Sequence, residues 1–348
     1  LDPLTQFQSL LAVDSPVLAL APMQDVTDLP FWRLMRGYGG ADLYYTEYFR
    51  VHVDSRLERS ILASITENPT GRPVVAQMIG NDVPSLVRTA RELQRHPVAA
   101  IDLNLGCPAP VVYRKCAGGG LLRDLPRIDA ILGALRGVVE GCFTVKTRVG
   151  FGDSSDFERL MELFAKHAVD LVTVHGRTVA DGYRTAVRYD LIARAVELLP
   201  CPVLANGNIS TPNRALSVLS QTGARGLMIG RAAIRNPWIF SQIRSALKGQ
   251  SSRVPVGREV LEYVEALYEA VCDCDHPEGA QVQKMKKYMN FLGIGVDPEG
   301  RFLHEIRRVR TRGEFFAVCR GFLDHSGAMP MEPFELTLAE RDPLAGEH

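Results

Sequence analysis

Eight short, β-rich apolar runs recur along this chain, each closed by turn residues, and stretches of helical period lie between most of them. The strand-like runs fall at 17–21, 42–46, 74–79, 99–104, 143–147, 171–175, 203–206 and 226–229. Helical periods occupy 29–38, 83–95, 126–139, 157–168, 190–198 and 212–221. Alternation of this kind argues for a parallel sheet, because parallel neighbours need a long crossover, usually a helix. Eight units are the number that closes a barrel. An open doubly wound sheet is the alternative, but no G-x-G-x-x-G follows the first run. The expected fold class is therefore α/β: a (β/α)8 TIM barrel followed by a small all-helical C-terminal domain.

Domain expectations follow the same pattern. The barrel is placed at 1–246 and a Gly-, Gln-, Ser- and Pro-containing linker at 247–257. A helical domain is expected over 258–328, with amphipathic helices at 258–271, 281–292 and 313–323. The proline-containing, slightly acidic tail at 329–348 is expected to be partly disordered.

Each strand ends in polar or turn-forming residues. The ends read Pro22-Met23, Glu47, Gln77, Asn104 with Cys107, Lys146 with Arg148, His175 with Arg177, Asn206-Gly207-Asn208, and Gly230-Arg231. Polarity phased with the strands marks one site built on the C-terminal rim, where barrel enzymes carry their chemistry. Gly106 and Pro108 bracket Cys107 and force a sharp turn after the fourth run, which directs the thiol into the barrel mouth. Asn206-Gly207-Asn208 and Gly230-Arg231 offer close backbone approach, free N–H groups and a guanidinium, as a phosphate requires. A lysine inside a barrel is costly unless it meets an anion or an electron-rich ring, so Lys146 is expected to face a cofactor, and Gln77 with it. A flat ring with hydrogen-bonding edges and one phosphate describes FMN, with Pro22-Met23 lying against the ring.

Bulk composition removes several classes. Among 348 residues, 40 basic and 40 acidic side chains leave no net charge, so a polyanion must be held by a local patch. The segment 281–312 supplies one: Lys284, Lys286, Lys287, Arg301, Arg307, Arg308, Arg310 and Arg312 face only Asp297, Glu299 and Glu305. Seven cysteines without framework spacing fit reduced thiols and a cytoplasmic protein. No apolar run approaches the ~20 residues of a membrane span, and the opening residues lack the marks of a secretory signal. Cys272-x-Cys274-x-His276 is the one Cys/His cluster, read as a helix terminus with core thiols, so no metal is expected.

Six motifs in order resemble the tRNA-dihydrouridine synthases: Ala21-Pro22-Met23-x-x-Val26-Thr27-Asp28, Asn104-x-Gly106-Cys107-Pro108 with Ala117-Gly118, Lys146-x-Arg148, Val174-His175-Gly176-Arg177-Thr178, Ala205-Asn206-Gly207, and Met228-Ile229-Gly230-Arg231. The resemblance implies FMN, NADPH as reductant, and reduction of a uridine in the D-loop of tRNA. It maps Cys107 to the general acid. Flavin binding falls to Pro22, Met23, Gln24, Gln77, Lys146, His175, Asn206, Gly207, Asn208, Gly230 and Arg231. Asn104, Arg148, Arg177 and Tyr183 are implied to face the uridine. Arg50 resembles the bacterial "C" branch, while Gln24-Asp25 and Asn208 depart from the usual pattern. Lys284, Lys286, Lys287, Arg307 and Arg308 are the expected contacts to RNA phosphates, and the protein is expected to be monomeric. An FMN-dependent dehydrogenase acting on a free pyrimidine, of the dihydroorotate or dihydropyrimidine type, is the nearest alternative. A barrel that only binds RNA is another, against which the intact Cys107, Lys146 and His175 set argues.

Overall fold

The computed structural model describes residues 2–272 and 275–334. Nine parallel strands form one sheet: β1 (Val17–Leu20), β2 (Leu43–Tyr45), β3 (Phe49–Arg50), β4 (Val74–Ile79), β5 (Ala100–Leu105), β6 (Cys142–Arg148), β7 (Leu171–His175), β8 (Val203–Asn206) and β9 (Gly226–Ile229). β1 pairs with both β2 and β9, and β2 pairs with β4, so eight strands close into a ring. The two-residue β3 only extends the end of β4, with Phe49 beside Met78 and Arg50 beside Ile79. This is the expected (β/α)8 barrel, with strand ends within two residues of the sequence expectation. β3 itself was not anticipated, being too short to carry a period.

Inside the ring, residues alternate along each strand between the interior and the surrounding helices. The lower interior is apolar: Val17, Leu43, Val75, Ala100, Cys142, Leu171 and Leu204 form one cluster with Phe7. Phe7 comes from a helix the sequence analysis did not assign, Pro3–Ala12, which also lays Leu4, Leu10 and Leu11 against the cluster. Asp2 caps this helix by accepting from Thr5 N at 3.0 Å, and Pro3 occupies its first turn. At its other end the Arg225 guanidinium donates to the carbonyls of Leu10, Leu11, Val13 and Ser15. The helix therefore plugs the bottom of the barrel and leaves the opposite rim for the polar side chains.

A second compact unit gathers residues 30–40 and 210–214 with the described chain from 230 onward. Its helices include Ile239–Leu247, Gly257–Val271, Glu278–Leu292, Arg301–Ile306 and Arg312–Leu323. Residues 30–40 and 230–246 fall within the span that the sequence analysis gave to the barrel, and several of their large side chains meet those of this unit. Tyr38 stands edge-on to Trp238 and Tyr263, with ring centroids 5.1 and 5.4 Å apart, and Phe31 stacks on Tyr288. Residues between Ile239–Leu247 and Gly257–Val271 form no helix, and Gln242 Nε2 donates to Arg253 O at 2.8 Å within that stretch. Met329 and Met331 are buried, so the start of the expected tail is packed, while residues 335–348 lie outside the described residues. Among the described residues no helix is long and apolar enough to cross a membrane.

Replacing Phe7 by Ala should cost about 3–5 kcal/mol, the range for an aromatic side chain lost from a packed core. Urea unfolding measures it. A loss below about 1 kcal/mol would mean that the helix does not seal the barrel.

Candidate active site

The chain turns sharply after β5 because Asn104 caps the turn with its own side chain. Asn104 Oδ1 accepts from Gly106 N at 3.0 Å and from Cys107 N at 2.9 Å. Gly106 is required there: a Cβ would sit 3.2 Å from the backbone carbon of Thr147 on the neighbouring strand. The segment that follows folds back on the turn. Gly119 N donates to Cys107 O at 3.2 Å, and a Cβ on Gly119 would lie 2.7 Å from that same oxygen. Gly118, at φ +53°, passes so close that its Cβ would be 3.1 Å from the Cβ of Cys107. The glycine-rich loop is thus the back wall of the cysteine rather than a separate cradle.

Cys107 is partly buried, and burial pushes its thiol above the ordinary range. The backbone N–H of Ala109 acts in the opposite direction, followed by the charges of Lys146 and Arg148 and the nearby Tyr48 hydroxyl. Tyr48 is itself pushed up to about 12, mainly by burial. Arg50 lies 5.8 Å from the Tyr48 ring centroid, so the expected substrate residue Arg50 stands beside the thiol's partner. Lys146, on β6 beside Asn104 in the register, is lowered to about 8, first by burial and then by Arg148. Lys146 makes no hydrogen bond or salt bridge to any described residue.

Beneath the turn lies a fully buried polar layer. Gln77, Asp102 and Thr144 are side by side on β4, β5 and β6. Gln77 Nε2 donates to Asp102 Oδ2 at 2.7 Å, Thr144 Oγ1 donates to Asp102 Oδ1 at 2.6 Å, and Asn104 Nδ2 donates to Gln77 Oε1 at 2.8 Å. Burial raises the Asp102 carboxyl to about 6, against the pull of Thr144, Gln77 and the Lys146 charge.

Across the rim, Arg148, His175 and Asn206 are lateral neighbours on β6, β7 and β8. Arg148 is buried, donating to Gly106 O at 3.0 Å and to Thr178 O and Gly182 O at 2.8 Å. Its guanidinium also lies 5.2 Å from the Tyr183 ring centroid, and Tyr183 meets the His175 ring edge-on at 6.0 Å. Arg148 therefore ties the loops after β5 and β7 together and sets the place of Tyr183. Arg177 is likewise buried, donating to Thr185 O at 2.6 Å and toward Asn208 Oδ1 at 3.4 Å. After β8, Gly207 has φ +124° and Asn208 φ +48°, a left-handed turn that asparagine tolerates. Gly207 O is held by Tyr189 OH at 2.7 Å, and a Gly207 Cβ would lie 3.3 Å from His175 Nε2.

At the first strand end, Met23 N donates to Thr27 Oγ1 at 2.7 Å, and Gln24 Oε1 is buried with no partner among the described residues. Glu47 accepts from Asp25 N, and burial with the charges of Asp28 and Asp25 raises it to about 7. Gly230 and Arg231 open the short helix Arg231–Arg235 in the second unit. In that unit Lys287, Arg307 and Arg308 are exposed and Lys284 and Lys286 partly so, whereas Arg301 and Arg312 are ion-paired with Glu299 and Glu269. Among the described residues no group of three or more His, Cys, Asp or Glu could hold a metal; Cys274 lies outside them.

The structure thus brings Cys107, Gln77, Asn104, Lys146 and Arg148 together, and sets His175, Tyr183, Arg177 and the Asn206–Asn208 turn on adjoining strand ends. It adds Asp102, Thr144 and Tyr48. The first two carried a legible signal, since Asp102 precedes Asn104 and Thr144 precedes Lys146 by two residues, on the same face of each strand. Tyr48 follows a strand end and had none.

Comparison with known proteins agrees with this geometry. Residues 19–324 match the family model described as dihydrouridine synthase (Dus). The "tRNA-dihydrouridine synthase B" of Pseudomonas syringae pv. tomato is 36% identical over 259 residues, 72% of this chain and 76% of that protein. The protein of the same name from Xanthomonas campestris is 31% identical over 318 residues, 89% of this chain and 93% of that one. A solved 2-naphthoyl-CoA reductase complex shares the fold alone, with a TM-score of 0.52 and 11% identity over 67% of this chain. This chain spans about half (50%) of the length of that one.

A thiol held protonated by burial should react slowly. Iodoacetamide at neutral pH should label exposed Cys116 at least about tenfold faster than Cys107, followed by peptide mass spectrometry. Equal rates would contradict the raised thiol.

Proposed function

The chain belongs to the dihydrouridine synthase family, and from that premise we propose that it reduces a uridine in the D-loop of tRNA to 5,6-dihydrouridine, using FMN and NADPH. The observation that carries the reading is the Asn104-capped turn, which holds a protonated Cys107 thiol within reach of the Lys146 and Arg148 charges.

The residues fit such a cofactor. Among the described residues Lys146 Nζ has no hydrogen-bond or salt-bridge partner, Gln24 Oε1 is buried without one, and Gly207 and Asn208 form a left-handed turn. We assign the electron-rich ring to Gln24, Gln77, Lys146 and His175, with Pro22 and Met23 against its face. The phosphate is assigned to Asn206, Gly207 and Asn208; Gly230 and Arg231 join them on sequence position alone. When bound and reduced, the flavin supplies the hydride for the uracil 5,6 double bond.

The chain's own residues do the rest. Cys107 donates the proton to the carbon next to the one that takes hydride, and the thiolate regains its proton from solvent. No special tuning is needed, because a thiol raised by burial is protonated at neutral pH. Tyr48 stands near the thiol and Asn104 holds its backbone. Tyr183, fixed between Arg148 and His175, offers a ring on which a base turned out of its loop can rest. Lys284, Lys286, Lys287, Arg307 and Arg308 bind RNA phosphates in this reading, so affinity should fall steeply with salt. The work is done where tRNA matures, in the cytoplasm. The relatives' "B" designation favours that branch over the "C" branch that Arg50 suggested.

Replacing Cys107 by Ala should leave bound flavin and its reduction by NADPH intact while lowering dihydrouridine formation by at least about a hundredfold, the usual worth of a general acid. Nucleoside mass spectrometry of digested tRNA reads it, and wild-type turnover in the variant would remove Cys107 from the reaction.

Lys146 carries its charge below about pH 8 and loses it above. FMN affinity should therefore be constant below that pH and fall as pH rises through it, and Lys146→Met should flatten the profile. A wild-type affinity that stays level through that pH range would separate Lys146 from the cofactor.

A further inference from the structure

We propose that Asp102, which nothing above places against cofactor or substrate, is a positioning residue. Its carboxylate sets the amide orientations of Gln77 and Asn104, and through them the turn that presents Cys107.

The inference follows from donor and acceptor parity. An ionised carboxylate only accepts. Asp102 Oδ2 therefore obliges Gln77 to present its NH2, at 2.7 Å. That leaves Gln77 Oε1 facing Asn104, so Asn104 must present its own NH2, at 2.8 Å. Asn104 Oδ1 is then the atom left for Gly106 N and Cys107 N, which as backbone donors need an acceptor. Five hydrogen bonds from Thr144 to Cys107 are satisfied together only in this sense. Turning either amide over would oppose donor to donor and acceptor to acceptor in a fully buried layer, where a lost bond is expensive.

The same parity fixes what the wall offers a ligand. Gln77 Nε2 and Asn104 Nδ2 each keep one N–H that no described residue uses. The wall is therefore a donor wall, suited to carbonyl oxygens or unprotonated ring nitrogens. Pyrimidine rings, in a flavin or in uracil, carry such edges. This part rests on the functional reading above; the locking of the Cys107 turn does not.

A pair of near-isosteric changes tests it. In Asp102→Asn, Oδ1 can still accept from Gln77 while the new NH2 donates to Thr144 Oγ1, whose hydroxyl turns to accept. In Thr144→Val, the carboxylate keeps its hold on Gln77. Either change alone preserves the sense of the chain. In the double variant the new NH2 has no hydroxyl to receive it and competes for Gln77 Oε1, so the sense of the Gln77–Asn104 pair is then held from the backbone end alone. The readout is the iodoacetamide alkylation rate of Cys107 in the full chain, which needs neither cofactor nor turnover, with dihydrouridine formation measured alongside. Each single variant should keep the Cys107 alkylation rate within about twofold of the wild type. The double variant should alkylate on the order of tenfold faster and lose activity to match. Additive effects, or a double variant whose Cys107 alkylates like wild type, would overturn the proposal. If the alkylation pattern holds but the wild type forms no dihydrouridine, the positioning role stands and the functional reading falls.

Discussion

A carboxylate closed inside a β-barrel is the constraint from which the rest of this site hangs. Burying Asp102 is costly, and the structure offsets the cost with two short hydrogen bonds and a nearby lysine charge. Those bonds turn an expensive group into an ordering device. The polarity chosen at Asp102 propagates across to Gln77 on β4 and back through Asn104 to the backbone of Cys107, on the turn that ends its own strand. Backbone amides demand an acceptor at one end and a carboxylate demands donors at the other, so the chain has one satisfied state.

The barrel divides its labour along its axis. At the bottom, Phe7, Leu4, Leu10 and Leu11 fill the apolar end, and Arg225 pins the plug by its carbonyls. At the top, large polar side chains share the rim with little direct ion pairing. Burial draws the Lys146 ammonium down to about 8, and Arg148 donates to three loop carbonyls. The second of these cations holds the rim together.

Much of this was legible in the sequence, for identifiable reasons. Parallel strands buried on both faces read as uniform apolar runs, so β4, β7, β8 and β9 fall on the expected residues. Cys107, flanked by Gly106 and Pro108, announces its turn. Less legible was anything decided by packing across sequence distance. The helix Pro3–Ala12 carries an apolar stripe like any other, and only the open end of the barrel gives it a purpose. Residues 29–38 read as a helix between strands, and nothing in their period shows that Phe31 and Tyr38 meet Tyr288, Trp238 and Tyr263 from distant segments. Arg148 and Arg177 are legible in the sequence as polar residues at strand ends. Their buried bonds to loop carbonyls depend on conformations that the sequence does not display.

The decisive observation would be a spectrum of the purified protein taken without oxygen. The flavin absorbance should bleach on addition of NADPH, persist in the presence of free uridine or dihydroorotate, and return with unmodified tRNA in an amount matching the dihydrouridine formed. Reoxidation by a free pyrimidine with no response to tRNA, or failure of the protein to bind any flavin, would contradict the reading of this barrel as a tRNA uridine reductase.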